Sequence, residues 1–200
     1  MKTFVYLASQ SPRRRQLLEQ IGVAYELLLA GSDEDAEALE AALANEAPAA
    51  YVKRVTRLKL DAAVARQIRR SLPPAPILCS DTTVALGRVI YGKPEDAKQA
   101  RRMLGELSGR THRVLTAVAV QAGQQRFEAL SASRVTFEAM TPADISAYVA
   151  SGEPMGKAGA YGVQGRAALH MTQISGSYSG IMGLPLRETA QLLRAAGFKI

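Results

Sequence analysis

Residues Thr3 to Arg15, TFVYLASQSPRRR, constrain the fold of this chain more than any other stretch. Thr3 to Ala8 is a β-branched and aromatic run of strand character, and Ser9 and Gln10 break it. Ser11-Pro12 then opens a helix, with the serine as N-cap and the proline in the first turn, where its missing N–H is no loss. Leu17, Leu18 and Ile21 give that helix an apolar face. A strand that ends in a polar turn opening a helix makes an anion site, because free backbone N–H groups and the helix dipole converge there. Arg13, Arg14 and Arg15 occupy the same first turn. Cations there oppose the dipole, so local helix energetics does not explain them. Either a solvated basic turn or an anion arriving from outside does.

The 200 residues suit one domain spanning 1–200, with length enough for a core. No apolar run is long enough to cross a bilayer, and no membrane partner is expected, although the positive charge would also suit a membrane surface. The start, MKTFVYLASQS, lacks the apolar core of a signal peptide, and a cytoplasmic protein is expected. Cys79 is the only cysteine, which excludes an internal disulfide and suggests a buried hydrophobe. With His112 and His170 as the only histidines, a structural zinc site is excluded too. The net charge of +7 favours an anionic partner. Only 6% of the residues are aromatic and none is Trp, so stacking platforms for single-stranded nucleic acid are poor. A small phosphorylated molecule is the better match.

Along the chain, Gly22 stops the first helix and Ala24 to Leu29 reads as a second strand, followed by an acidic loop with Asp33, Glu34 and Asp35. Pro48 to Arg70 is the longest helical pattern, with Tyr51, Val55, Leu58, Ala62 and Ala65 on one stripe and Lys53, Arg54, Arg57, Arg66, Arg69 and Arg70 on the other face. Lys59 lies beside the stripe and is placed to point into a cleft. Ile77 to Cys79 enters a strand that resumes at Val84 to Leu86, and Gly87-Arg88 turns it into Val89 to Tyr91. Glu95 to Leu107 is helical, Val114 to Val120 and Arg126 to Phe137 pair around Gly123, and Thr141-Pro142-x-Asp144 is a capping box opening a helix to Ala150. After a glycine-rich segment, Leu169 to Ile174 and Tyr178 to Met182 read as strands, and Pro185 to Ala196 as the closing helix. This order predicts an α/β protein with a mixed, twisted sheet and flanking helices.

Asp81 follows an apolar strand entry, and strand ends in α/β folds are where ligands gather. A plain alternative is an aspartate satisfied by the hydroxyls of Ser80, Thr82 or Thr83. The acidic loop at Asp33 to Asp35 offers a second carboxylate source for a cation such as magnesium, or a merely solvated loop. Glycines at 156, 159, 162 and 165 put Lys157 on a small-residue loop, although the spacing is neither a dinucleotide fingerprint nor a P-loop. Gln164 carries both donor and acceptor, which suits reading a base edge. The serines lack an elbow motif and neither histidine has one around it, so no Ser-His-Asp arrangement is defensible.

Together these pieces resemble the Maf family of nucleoside triphosphate pyrophosphatases. The likeness runs through LASQSPRRRQLL (Leu7 to Leu18), the acidic loop, YVKRVTRLK (Tyr51 to Lys59), SDTT (Ser80 to Thr83), GKPED (Gly92 to Asp96), LSGRTHRVLTAV, YVASGEP, KAGAYGVQG (Lys157 to Gly165) and MGLPL (Met182 to Leu186). The resemblance implies a fold related to inosine triphosphate pyrophosphatases, two lobes around a cleft, a homodimer, and a divalent cation, Mg2+ or Mn2+. It implies hydrolysis of a nucleoside triphosphate to the monophosphate and pyrophosphate. By motif position Asp81 matches the general base and a metal ligand, and Glu34 the acidic metal position. Ser9, Arg13, Arg14, Lys59, Lys93 and Lys157 match positions around the triphosphate. Arg13, Thr82 and Gln164 resemble the branch acting on dTTP, UTP and modified pyrimidine nucleotides, where a 7-methyl-GTP branch has tryptophan, glutamine and glutamate. The sequence departs from the family pattern at Gly156, where an acidic residue is common, and at Thr56 and Leu60, where alanines are usual. The competing expectations are a 7-methyl-GTP or broad-specificity pyrophosphatase, and a basic nucleic-acid-binding or division-regulating protein.

Overall fold

Strand, turn and helix follow one another at the N-terminus as the opening run dictates: β1 (Val5–Leu7) leads through Ser9 into α1 (Pro12–Gln20). Ser11 holds the N-cap position with extended backbone, but its side chain makes no cap hydrogen bond. The Ser9 hydroxyl accepts the Ser11 N–H instead, at 3.2 Å. The computed structural model describes residues 4–31, 34 and 38–200, so Thr3, Asp33 and Asp35 lie outside the described residues.

Seven described strands form one mixed sheet in the order β2-β1-β3-β5-β6-β7, with β4 hairpinned onto β3. They are β2 (Tyr25–Leu27), β3 (Ile77–Leu86), β4 (Val89–Tyr91), β5 (Thr111–Ala122), β6 (Gln125–Phe137) and β7 (Met171–Ser175), besides β1. β1 lies parallel to β2 and β3, and the remaining pairs are antiparallel. The β5–β6 register runs from Thr111↔Thr136 to Ala122↔Gln125, closing on Gly123, whose φ of 58° is the left-handed turn conformation glycine supplies.

Side-chain alternation along the strands builds two cores. Val5, Leu7, Leu78, Val118 and Val120 face one way, where they meet Leu17 and Leu18 of α1, Leu104 and Leu107 of α3 (Ala97–Leu107), Val149 of α4 (Pro142–Ala150) and Leu193 of α6 (Leu186–Ala195). Tyr6, Ile77, Cys79 and Ala119 face the other way and pack on Leu60 and Ala63 of α2 (Pro48–Arg69). The capping box of α4 is present as expected: Thr141 accepts from the Asp144 N–H, and Asp144 accepts from the Thr141 N–H.

Several expectations are corrected. The α2 stripe is turned: Leu58 and Ala65 are exposed, while Val52, Thr56, Leu60, Ala63 and Arg66 are buried. Polar residues can enter that face because Thr56 Oγ1 donates to its own helix at Val52 O (2.8 Å) and Arg66 is fully partnered. Ser80 to Thr83 do not interrupt a strand. β3 is continuous, since these residues pair with β5 and Ser80 Oγ reaches the carbonyls of Ala117 and Gly183 at 2.9 and 3.0 Å. Arg166 to His170 form a 3-10 helix, so β7 begins only at Met171. Tyr178–Met182 is not a strand but a short helix, α5, because the Ser177 hydroxyl caps it by accepting from the Gly180 N–H at 3.0 Å.

Candidate active site

β1 pairs with β3 only as far as Leu78, and β4 takes up the same edge of β3 only from Val84. Between them the edge of β3 is free, and a cleft of about 710 Å³ opens there. Asp81 sits in that gap, mid-strand rather than at a strand's end, opposite Ala117 of β5. The cleft also receives the turn after β1, the first turn of α1, the middle of α2 and the glycine-rich segment. Every candidate site residue, from Ser9 to Gln164, lines it.

Lys59 projects from α2 into the cleft. Its Nζ donates to Asp81 Oδ1 at 2.6 Å and to Glu40 Oε1 at 2.7 Å. Lys93, in the loop after β4, reaches both Glu40 oxygens at 3.2 Å. Burial works to raise the Glu40 carboxyl, but Lys59 and Lys93 outweigh it and hold it below the usual carboxylate range. Glu40 was missed by sequence reasoning. It stands in a 3-10 turn, Ala38–Glu40, within an acidic run where nothing in the residue pattern marks one glutamate from the next.

Glu34 lies in the same wall but is differently engaged. Arg66 grips it with Nε and Nη2 at 2.9 and 2.6 Å, and Arg69 adds a contact at 2.6 Å. The hydrogen bonds from Arg66, against a burial effect of opposite sign, bring its pKa down to about 2. Arg66 is only 5% exposed and also donates to Leu28 O at 2.8 Å, so Glu34 and Arg66 form one anchored unit.

The arginines of α1 find an answer that local helix energetics did not contain. Arg14 Nε donates to Gly183 O at 2.8 Å and its Nη1 to Ser9 Oγ at 3.0 Å; Arg13 Nε donates to Met182 O at 3.3 Å. The carbonyl end of α5 thus holds the basic turn. Carbonyls bring no charge of their own to offset that of the arginines. Burial lowers the pKa of Arg14 against an opposing pull from Asp81, and Arg13 adds to the lowering. Lys157 is lowered in the same way, by burial first and then by Arg13, and its ammonium is held by the Glu153 carbonyl.

The glycine spacing has a packing cause. A Cβ at Gly159 would stand 2.8 Å from Val84 of β3, and one at Gly162 would stand 3.1 Å from the Lys157 stem. These close approaches bring Lys157 and Gln164 to the cleft wall. Cys79 is buried, as expected, and so is His112, whose Nε2 lies 2.7 Å from the Tyr161 hydroxyl and whose pKa burial pulls down to about 4. Burial likewise pushes the Cys79 thiol up to about 12. Tyr51, read from sequence only as a core residue, lines the cleft and donates to Glu40 O at 2.9 Å.

Fold and site together define an α/β protein with a basic cleft beside a strand-borne carboxylate. The chain belongs to the Maf-like protein family, whose model matches residues 4–196. It is 74% identical over 197 residues to a dTTP/UTP pyrophosphatase of Polaromonas sp. (strain JS666), covering 98% of each chain. It is 68% identical to the protein of that name from Albidiferax ferrireducens over the full length of both, and 63% identical to that from Cupriavidus metallidurans over 98% of each. Among the described residues no helix is long and apolar enough to cross a membrane.

Proposed function

We propose that this protein hydrolyses dTTP and UTP, and modified pyrimidine nucleotides of the same base edge, to the monophosphate and pyrophosphate. The observation that carries the reading is the Asp81 carboxylate at 2.6 Å from Lys59, in a cleft where Arg13, Arg14 and Lys157 form no ion pair among the described residues. Relatives up to 74% identical bear the name of this activity.

In this reading a water attacks the α-phosphorus and Asp81 takes its proton, while the bond to the bridging oxygen breaks and pyrophosphate leaves with the electron pair. Arg13, Arg14 and Lys157 hold the phosphate chain and stabilise the charge that develops on its oxygens. Lys59, bonded to Asp81 and Glu40 together, fixes the carboxylate against the free edge of β3.

A divalent cation, Mg2+ or Mn2+, belongs to the proposal. Asp81 and Glu40 both border the Lys59 ammonium, and their carboxylates would hold the ion beside it, since hard cations take carboxylate oxygens, water and substrate phosphates. Bound there, such an ion would draw charge from the phosphate oxygens. Glu34, the acidic metal position by resemblance, has both oxygens engaged by Arg66. Its part in the proposal is to anchor Arg66 in the cleft wall. The proposal also has the enzyme working in the cytoplasm as a homodimer of single-domain chains, which gel filtration checks.

The test is pyrophosphate release from UTP, dTTP, 7-methyl-GTP and ATP with magnesium or manganese, for wild type and Asp81→Asn. Turnover of UTP and dTTP should fall by about a thousandfold or more in the variant while its circular dichroism is unchanged. Orthophosphate as the product would sink the mechanism, and faster turnover of 7-methyl-GTP would overturn the pyrimidine assignment.

A further inference from the structure

Thr116 of β5 stands directly opposite Thr82 of β3 and is 1% exposed. Its Oγ1 lies 2.7 Å from the Gly180 carbonyl oxygen of α5 and 2.9 Å from Thr82 Oγ1. A threonine hydroxyl carries one hydrogen. If Thr116 gives it to Thr82, one bond forms among the three groups. If Thr116 gives it to the Gly180 carbonyl, its own oxygen is left to accept the Thr82 hydrogen, and two bonds form. The second arrangement prevails, because a buried bond left unmade is unfavourable. The relay therefore runs from Thr82 to Thr116 to Gly180 O.

This direction has a chemical consequence at the cleft, which Thr82 lines. With its hydrogen turned inward, Thr82 Oγ1 presents only lone pairs to a ligand. Phosphate oxygens are acceptors themselves, so this atom faces the nucleoside end of a nucleotide. Donors at that end are the sugar hydroxyls and, on uracil or thymine, the ring N3–H. Ile181 and Met182 line the same cleft and offer apolar surface suited to a flat ring. Gln164 cannot make the distinction alone. Its amide is exposed, has no hydrogen bond among the described residues, and can present either its oxygen or its NH2.

We propose that Thr116 is a positioning residue for base selection: it holds the Thr82 hydroxyl as an acceptor facing the cleft, so that a pyrimidine bearing N3–H is taken and cytosine, whose N3 is a lone pair, is refused. This rests on the pyrimidine-nucleotide reading above. UTP and CTP share their sugar and phosphates, so the comparison between them isolates the N3 position.

The experiment measures kcat/KM for UTP and CTP in wild type, Thr116→Val and Thr116→Ser. Valine keeps the shape and removes the hydroxyl, and Gly180 O retains the Gly183 N–H at 3.0 Å, so no carbonyl is left unpaired. Wild type should prefer UTP by about tenfold or more, as sites that reject an unpaired polar match do. Thr116→Val should bring the ratio to about two or below by raising turnover of CTP, since the freed Thr82 hydroxyl can now donate. Thr116→Ser should keep the wild-type ratio. An unchanged ratio in a folded Thr116→Val overturns the inference, as does a wild type indifferent to the two nucleotides, the result expected if Thr82 faced the sugar. Should the valine variant fail to fold, Thr82→Val decides instead: loss of the acceptor must level the two nucleotides. A wild type idle on both UTP and dTTP would remove the reaction itself, a result separable from all of these.

Discussion

Lys59 holds two carboxylates at once, and that fact sets the chemistry of the site residue by residue. An ammonium shared between Asp81 and Glu40, at 2.6 and 2.7 Å, cannot neutralise both. The second cation, Lys93, restores balance from the Glu40 side at 3.2 Å. Taking away the Glu40 charge would leave Lys59 to Asp81 alone. The pair would tighten, and Asp81 would give up its hold on Lys59 less readily and work as a poorer base. Charge-assisted hydrogen bonds of this kind contribute about 1.5–3 kcal/mol each. Glu40→Gln should therefore lower kcat/KM for UTP roughly ten- to a hundredfold. It should also raise the manganese concentration needed for half-maximal rate, because one of the two converging carboxylates is gone. A metal titration with unchanged midpoint would remove Glu40 from the cation's surroundings.

At the scale of elements, α2 carries the weight of the site, and it also marks where sequence reasoning stops. The opening β1–turn–α1 unit, the Gly123 hairpin and the capped α4 were legible because the residues that specify them are neighbours in sequence. The face of α2 was not. Arg66 belongs by residue type on a solvated face, and it is buried only because Glu34 and the Leu28 carbonyl, 32 and 38 positions away, partner it. Tyr178–Met182 failed for a related reason, since a five-residue segment is too short to show a period that separates helix from strand. In the site, Asp81 and the cations were legible through their motifs, whereas Glu40 and Thr116 look like any acidic-run glutamate and any strand threonine. The Arg66–Glu34 unit has a pH signature. The Glu34 carboxyl falls from 4.5 to about 2 in the folded chain, so its stabilisation is present above pH 4.5 and is lost as pH drops through about 2. Arg66→Met forfeits that contribution at every pH. The stability gap between wild type and Arg66→Met, measured by urea unfolding, should be widest above about pH 5 and narrow steadily toward about pH 3. A gap that widened on acidification would place the main stabilising role of Arg66 elsewhere.

Charge over the whole molecule gives the last test. The net charge of +7 alone does not distinguish a nucleotide enzyme from a nucleic-acid-binding surface, so the test lies in where its field acts. Within the cleft Arg66 is matched by Glu34, Lys59 by Asp81 and Lys93 by Glu40. Among the described residues Arg13, Arg14 and Lys157 hydrogen-bond only carbonyl or hydroxyl acceptors, while Asp81 and Glu153 act on Arg14 and Lys157 at longer range, so part of their field is left to draw in an anion. Several cations outside the cleft are already paired, as Arg57 is with Glu128 and Arg126 with Asp61. The attraction should therefore act on a small anion entering a concave site, over distances of about a Debye length. Raising salt from about 20 to about 200 mM should lower kcat/KM for UTP by roughly fivefold while kcat at saturation changes little, because screening acts on encounter and not on the bound complex. Lys157→Met should both weaken UTP binding and flatten that salt dependence. If kcat/KM were insensitive to salt in wild type, these three cations would not be what brings the nucleotide in. If Lys157→Met kept the full salt dependence, the field would originate on the outer surface, and the basic balance of the chain would have to be explained by a partner other than its substrate.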